Sequence, residues 1–411
     1  MISKVMKINL RIIFLVVLVF LSFGFSHNYN TTIAVYNAMV QGKQVPIEGN
    51  TAQLKHFFNA LKEAKQKKLR VAHWGDSIIL GDIVTEDIRL NLQQRFGGSG
   101  SGFVTMNVDD FGMRFSTRVT FSEDWEDASV FKRNPNKLRY GIGGAVYRPA
   151  EGSWVQYEIT KYSRGVKNVS KVFLYYSNGN ANCRVKYTIN NGKSDYLKLT
   201  SGKGVQCTMI PSNIPISSIK FEFSACKNVD FYGVSLENES GVYVDNLPLR
   251  GNSGVGISEI QPDILKEFDD HQNLKLVLLN FGVNILSPEH TDYSWYENRM
   301  ERTINHLKSA LPNTSIIIIS VSDKAAKKGS RFVSEPNIDK LISVQRRLAD
   351  KTGIAFWNLY EAMGGENSVV EWVNAKVPLS SKDYTHFTPE GGKVVADLFV
   401  KALMDLYAKS K

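Results

Sequence analysis

Five residues scattered along the chain have the types that acyl transfer requires: Ser77, Gly251, Asn284, Asp383 and His386. A serine hydroxyl becomes a nucleophile beside a base, and among the seven histidines His386 is set apart by Asp383 three positions before it. An acid and an imidazole at that spacing on a tight loop can meet. The carboxylate then fixes one ring nitrogen while the other takes the serine proton. Thr388-Pro389-Glu390 supplies an N-cap, a proline at the first helical position and an acid in the first turn, so a helix should follow the loop directly. A tetrahedral intermediate also needs fixed hydrogen-bond donors. Gly282-Val283-Asn284 offers a side-chain amide, and Gly251 a backbone N–H where a side chain would crowd a substrate. Asp76 adjoins Ser77 but cannot easily reach His386, so its expected task is to brace the turn.

These residues need elements that bring them to one place. Leu69 to Trp74 reads as a short strand ending at Gly75-Asp76-Ser77, after a helical stretch from Gln53 to Lys67. Val84, Ile88, Leu92 and Phe96 repeat every four positions and mark a helix that begins just beyond Ser77 and stops at Gly97-Gly98. Ser77 is thereby placed at the C-terminal edge of a strand and near a helix N-terminus, which favours developing negative charge. From Val242 the same rhythm returns. Strands are expected at Val242–Asp245, Leu274–Asn280, Ser315–Val321 and Ile354–Trp357. Helices are expected around Tyr296 to Leu311, Leu341 to Asp350, and Pro389 to Tyr407. Unbroken β-branched runs between amphipathic helices imply a parallel sheet covered on both faces.

Between about Thr105 and Ser235 the pattern is different. Short alternating segments such as Trp154–Ile159, Lys171–Tyr176, Cys183–Ile189 and Ile219–Phe223 are separated by Asn-Gly and Ser-Gly-Lys-Gly turn signals. They predict a β-sandwich inserted into the α/β domain. The expected division is a signal segment at 1–26, a discontinuous α/β domain at 27–104 and 236–411, and the insertion at 105–235. Trp125, Tyr147, Trp154, Tyr175 and Tyr176 of the insertion can stack on sugar rings, although alternation puts one set inside by default.

The chain has 411 residues, 43% of them hydrophobic, and a formal charge of +10. That composition excludes disorder, collagen and coiled coil. Lys4, Lys7 and Arg11 precede the apolar run Ile12 to Leu21, and Gly24 and Ser26 follow, the pattern of an export signal cut near Ser26. Its removal leaves the mature chain at +7, periplasmic or secreted, with no stable membrane insertion. A positive balance suits an anionic polymer such as a cell-wall glycan. The run Lys62, Lys65, Lys67, Lys68, Arg70 reads as a solvated face. The basic stretch Lys324 to Arg331 reads as a loop at the functional edge of the sheet. Cys183, Cys207 and Cys226 permit one disulfide and one thiol, with the pairing open. No Gly-x-Ser-x-Gly, His-Glu-x-x-His, Cys-x-x-Cys or Gly-Lys-Ser/Thr motif is present. No metal, no cofactor and no nucleic acid partner are therefore expected.

Gly75-Asp76-Ser77, Gly251, Gly282-x-Asn284 and Asp383-x-x-His386 resemble, in order and at the strand ends, the four sequence blocks of the SGNH (GDSL-like) hydrolases. Asn246, five residues before Gly251, matches the second block, and Ile78 stands where the family name has leucine. The resemblance implies a flavodoxin-like three-layer α/β fold. It implies Ser77 as nucleophile, His386 as base and acid, and Asp383 as orienting acid. The oxyanion hole would consist of the Ser77 and Gly251 N–H groups and the Asn284 side chain. The inserted β domain, the signal segment and His73-x-Gly-Asp-Ser are similar to the peptidoglycan O-acetylesterases, whose insertion is a carbohydrate-binding-like module. The expected activity is hydrolysis of O-acetyl esters on a polysaccharide, peptidoglycan first, through an acetyl-serine. A polysaccharide O-acetyltransferase and a glycan-binding protein with an inactive hydrolase domain are the alternatives.

Overall fold

The apolar runs that predict buried strands lie at the centre of a six-stranded sheet. The computed structural model describes residues 42–106, 114–166 and 168–410, so the expected export signal lies outside the described residues. Across the sheet the order is Ile47–Gly49, Ala355–Trp357, Ser315–Ile319, Leu274–Asn280, Lys68–Gly75 and Gly241–Pro248. All neighbours are parallel except the first pair. Numbering the parallel strands by sequence gives the order 2-1-3-4-5, the flavodoxin-like arrangement, with a switch point between the first and third strands where such sheets place their sites. Ser77 follows the first strand, Gly251 the second and Asn284 the third.

The edge strand Ile47–Gly49 was not foreseen, being three residues long. Tertiary contacts hold it: Ile47 is buried, and the Trp357 indole donates to the Val45 carbonyl at 3.1 Å. Helices Lys55–Lys62, Thr85–Phe96 and Pro389–Lys409 cover one face, joined where Phe58 and Phe96 both meet Tyr407. Helices Pro262–Gln272, Ser294–Ala310 and Ile338–Thr352 pack in a row as the other layer.

The insertion is a sandwich of antiparallel strands, one sheet of five and one of six with Gly102–Thr105 attached. Its strands run from Gly102 to Glu237, slightly beyond the expected limits. Phe223 of one sheet meets Phe231 of the other with ring centroids 4.7 Å apart. Tyr147, Tyr175 and Tyr176 are buried, so they are core side chains and not sugar platforms. Trp125 and Trp154 are half-buried. Cys183 pairs with Cys226, and Cys207 is free.

The supposed solvated basic run is partly interior. Arg70 is 1% exposed and holds the sandwich to the sheet. Its guanidinium binds Asp245 at 2.8 Å and Ser235 at 3.1 Å, and it pairs with Glu237, which also takes Lys68 at 2.8 Å. The reason is strand periodicity. Lys68–Gly75 is a central strand buried along nearly its whole length, so every side chain on it needs an interior partner.

Candidate active site

Ser77 opens a short 3-10 turn, Ser77–Asp82, not the long helix that apolar spacing predicts. The turn breaks at Gly81 and Asp82, both with positive φ (77° and 69°), before the α-helix Thr85–Phe96 starts. Asp82 tolerates that conformation because it is fully held: its carboxylate pairs with Arg89 at 3.2 Å and accepts the Ser116 hydroxyl. Burial raises the Asp82 carboxyl, but Arg89, Arg114 and Ser116 outweigh it and hold it down at about 2. Behind Ser77, His73 is buried with Nδ1 2.9 Å from the Thr85 hydroxyl. It supports the turn from inside and faces no substrate.

The second half of the site comes from a loop that closes on itself. Ser381 N–H donates to the His386 carbonyl at 2.7 Å, and Thr388 N–H to the Leu379 carbonyl at 3.0 Å. Thr388 caps the last helix through Gly391 N–H at 3.2 Å, with Pro389 at the first helical position, as predicted. Within this loop the Asp383 carboxylate accepts the backbone N–H groups of Thr385 and His386, both at 3.0 Å. Its other oxygen lies 2.8 Å from His386 Nδ1. His386 Nε2 is 2.7 Å from the Ser77 hydroxyl. Partial burial raises the Asp383 pKa, but hydrogen bonds from the His386 backbone and ring and from Thr385 outweigh it, so the carboxyl sits below its ordinary value. An ionised acid on Nδ1 fixes the tautomer whose Nε2 can accept the serine proton.

Asn284 is tied to the chain next to Gly251. The Asn284 amide donates to the Asn252 carbonyl at 3.2 Å, leaving its second N–H uncommitted. Gly251 has φ +73°, and a methyl group there would touch no protein atom within 4 Å. Glycine is thus required by the backbone, while the space in front of it is open to a substrate. Asp76 ties this side to the turn that carries Ser77. It accepts Ile78 N–H at 3.0 Å with one oxygen, and Gly282 N–H at 3.0 Å and Val283 N–H at 3.3 Å with the other. Burial pushes its carboxyl up to about 6, against the pull of those three donors and of His386.

Sequence reasoning passed over Asn252, whose carbonyl orients Asn284, and Tyr384, the inner residue of Asp383-x-x-His386. The basic stretch Lys324 to Arg331, expected as a loop, forms a hairpin instead, Ala325–Lys328 against Arg331–Ser334. Lys324 at its root donates to the Val283 carbonyl at 3.1 Å. Only the place of Tyr384 inside the motif would have signalled any of these.

Residues 225–394 match the GDSL-like lipase/acylhydrolase family model. That segment includes Gly251, Asn284, Asp383 and His386; Ser77 lies before it, on the far side of the insertion. A search of curated protein sequences found no match. Among solved structures, a peptidoglycan O-acetylesterase aligns over 89% of this chain and 100% of its own, with 21% identity and a TM-score of 0.70. A family two carbohydrate esterase from Cellvibrio japonicus covers 72% of this chain and 99% of its own at 10% identity, and an acetyl xylan esterase covers 39% and 81% at 18% identity. Their TM-scores, 0.28 and 0.29, are too low to add to the comparison. Over residues 225–394 the chain is thus similar to the GDSL-like lipase/acylhydrolases, and it is a carboxylic ester hydrolase.

Proposed function

We propose that the protein is an exported serine esterase that removes O-acetyl groups from a polysaccharide, with peptidoglycan as its substrate. The observation that carries this reading is the relay Ser77 Oγ, His386 Nε2, His386 Nδ1, Asp383, with steps of 2.7 and 2.8 Å. Ser77 Oγ attacks the acetyl carbonyl carbon while His386 Nε2 takes its proton. The oxyanion is held by N–H groups of Ser77, Gly251 and Asn284. Collapse breaks the bond to the sugar oxygen, which receives the proton from His386. Water, deprotonated by the same nitrogen, then attacks the acetyl-serine and releases acetate.

Hydrolysis is favoured over transfer to a second sugar because the site is wet: the His386 and Asp383 side chains keep 39% and 51% of their surface exposed. Transfer requires water to be kept from the acyl-enzyme. The peptidoglycan assignment is supported by the full-length likeness to a peptidoglycan O-acetylesterase and by the positive charge of the chain, which suits an anionic polymer. Export is supported by the N-terminal basic and apolar pattern.

The test is acetate release from O-acetylated peptidoglycan, acetylated xylan and nitrophenyl acetate by the parent protein and Ser77→Ala. Release from peptidoglycan that falls by about 10⁴-fold or more in Ser77→Ala is expected. Activity on nitrophenyl acetate alone would overturn the glycan assignment. Transfer of acetyl to an added oligosaccharide in place of free acetate would overturn the hydrolase reading.

A further inference from the structure

The hairpin Ala325–Lys328 with Arg331–Ser334 is fastened to both loops that carry the site. At its root, Lys324 Nζ donates to the Val283 and Leu286 carbonyls at 3.1 and 3.5 Å, on either side of Asn284. Ala325 N–H donates at 3.0 Å to the carbonyl of Tyr384, inside the Asp383-x-x-His386 turn. The Phe332 ring lies flat on the Tyr384 ring, with centroids 3.8 Å apart and planes 10° from parallel. On the other side, buried Asp323 accepts the Ser334 hydroxyl at 2.7 Å and Val369 N–H at 2.9 Å.

A hairpin that only braced two loops would turn polar, self-paired side chains to water. This one does not. Phe332 is 36% exposed. Lys327, Lys328 and Arg331 are exposed and make no ion pair with a described residue. The register sets Lys327 directly opposite Phe332, and opposed residues of an antiparallel pair share a face. The Lys327 side chain therefore leaves from the face that bears the stacked rings, while Lys328 and Arg331 take the other. Tyr384 and His386 are two residues apart, no more than about 8 Å along the backbone. An apolar ring face with one adjoining cation matches a pyranose that carries an anionic substituent: the C–H face of the sugar covers the aromatic pair, and the ammonium meets the charge.

We propose that Phe332, Tyr384 and Lys327 form a glycan subsite beside the scissile ester, in which Lys327 selects a glycan that carries carboxylates. This inference rests on the polysaccharide deacetylation read above and specifies what that site recognises. It follows that an uncharged acetylated glycan uses only half of the subsite.

The experiment compares acetate release from O-acetylated peptidoglycan, which bears carboxylates, and from neutral acetylated xylan, for the parent, Lys327→Ala, Phe332→Ala and Lys62→Ala. Lys62 is exposed on the helix before the first parallel strand and so removes the same charge at the opposite edge of the sheet. Lys327→Ala is expected to lower kcat/KM on peptidoglycan about tenfold through KM, by a margin that shrinks at high salt, and on xylan about twofold or less. Phe332→Ala is expected to lower both by about fivefold. Equal losses on the two glycans in Lys327→Ala, a loss confined to kcat, or the same loss in Lys62→Ala would overturn the proposal. A parent protein that deacetylates xylan but not peptidoglycan overturns the carboxylate subsite and leaves the esterase standing. A parent that cleaves only nitrophenyl acetate removes the glycan reading and this subsite together.

Discussion

The Asp76 carboxylate accepts the backbone N–H of Gly282 at 3.0 Å, joining two residues 206 positions apart. Through this bond the turn that carries Ser77 and the loop that carries Asn284 share one buried anchor. Gly282 has φ +145°, and a methyl group at that position would come within 2.7 Å of Val321. The loop can therefore approach the anchor only with glycine there. Ser77 and Asn284 are thus set relative to one another by a residue outside the Ser77–His386–Asp383 hydrogen-bond chain.

Asp76→Asn tests this positioning role. An amide oxygen can still accept Ile78 N–H, but the amide nitrogen then faces the Gly282 and Val283 donors, leaving buried N–H groups unpaired at about 1–3 kcal/mol each. If that cost reaches the transition state, kcat falls about 10–100-fold with little change in KM. The pH dependence is distinctive. Burial raises the Asp76 carboxyl to about 6, so at pH 8 the parent has its ionised acceptor and the deficit of the variant is full. Below about pH 6 the parent protonates and the deficit narrows. Because the readout is a ratio of kcat/KM values, titration of other groups common to both proteins cancels. A ratio that stays constant from pH 5 to pH 8 would refute the role.

Asp383→Asn separates orientation from folding. The carboxylate makes two kinds of contact: backbone N–H groups of Thr385 and His386 on one oxygen, the His386 ring on the other. An asparagine oxygen keeps the first set, so the loop holds its shape and the melting temperature stays within about 2 °C, as for an exposed substitution without lost contacts. The amide N–H presented to Nδ1 favours the wrong tautomer, and kcat drops by about 10²–10⁴-fold. A matched loss of activity and thermal stability would show that Asp383 is chiefly a loop residue.

Much of this was legible because two periodicities are hard to mistake. Leu274–Asn280 is apolar at nearly every position and can only be a strand buried on both faces. Lys171–Ser177 and Ser218–Ser224 alternate and read as half-buried strands. The contacts of the Asp383–His386 loop were legible because Asp383, His386, Thr388 and Pro389 are local to one another. Elements that depend on distant partners were not. Ile47–Gly49 is a strand only because Ala355–Trp357 lies beside it. Pro262–Gln272 breaks its apolar spacing with Asp269, Asp270 and His271, and its burial comes from Phe268 packing on Phe103, Tyr175 and Tyr232 of the insertion. The charge of Arg70 disguised an interior residue, since nothing nearby in the chain announces Asp245 or Glu237.

His73 predicts an acid limb of stability. Burial, with the nearby Arg89 charge and against the pull of Asp82, lowers its pKa to about 3, and its Nε2 has no partner among the described residues. The folded state binds its proton less readily than the unfolded chain, where histidine titrates near 6.5. The stabilisation is therefore complete above about pH 6.5 and is lost progressively as pH falls towards 3. Urea unfolding of the parent should show the midpoint dropping across that window, and His73→Gln should show a shallower slope whatever its absolute stability. Parallel slopes for the two proteins would mean that another group drives acid unfolding.

Arg70→Met tests whether the inserted sandwich is locked to the hydrolase domain by charge. The substitution keeps much of the side-chain volume but strands Asp245 in the interior and leaves Glu237, held below its ordinary pKa because Arg70 and Lys68 outweigh its burial, with Lys68 as its one remaining cation. Removing one partner of a buried charged cluster costs about 3–5 kcal/mol, so the melting temperature should fall clearly. Six residues, five of them in the strand, separate Arg70 from Ser77, roughly 20 Å at the usual rise. Turnover of nitrophenyl acetate at low temperature should therefore be retained. If Arg70→Met lowered kcat at a temperature where the protein is still fully folded, the docking of the sandwich would have to reach the nucleophile itself. The physical route for that exists, since Ser116 of the insertion grips Asp82 at the end of the Ser77 turn. Pairing Arg70→Met with Ser116→Ala decides between the two cases. Additive losses of stability with kcat reduced only in Ser116→Ala assign the two contacts separate tasks, one holding the domains together and the other holding the nucleophile turn.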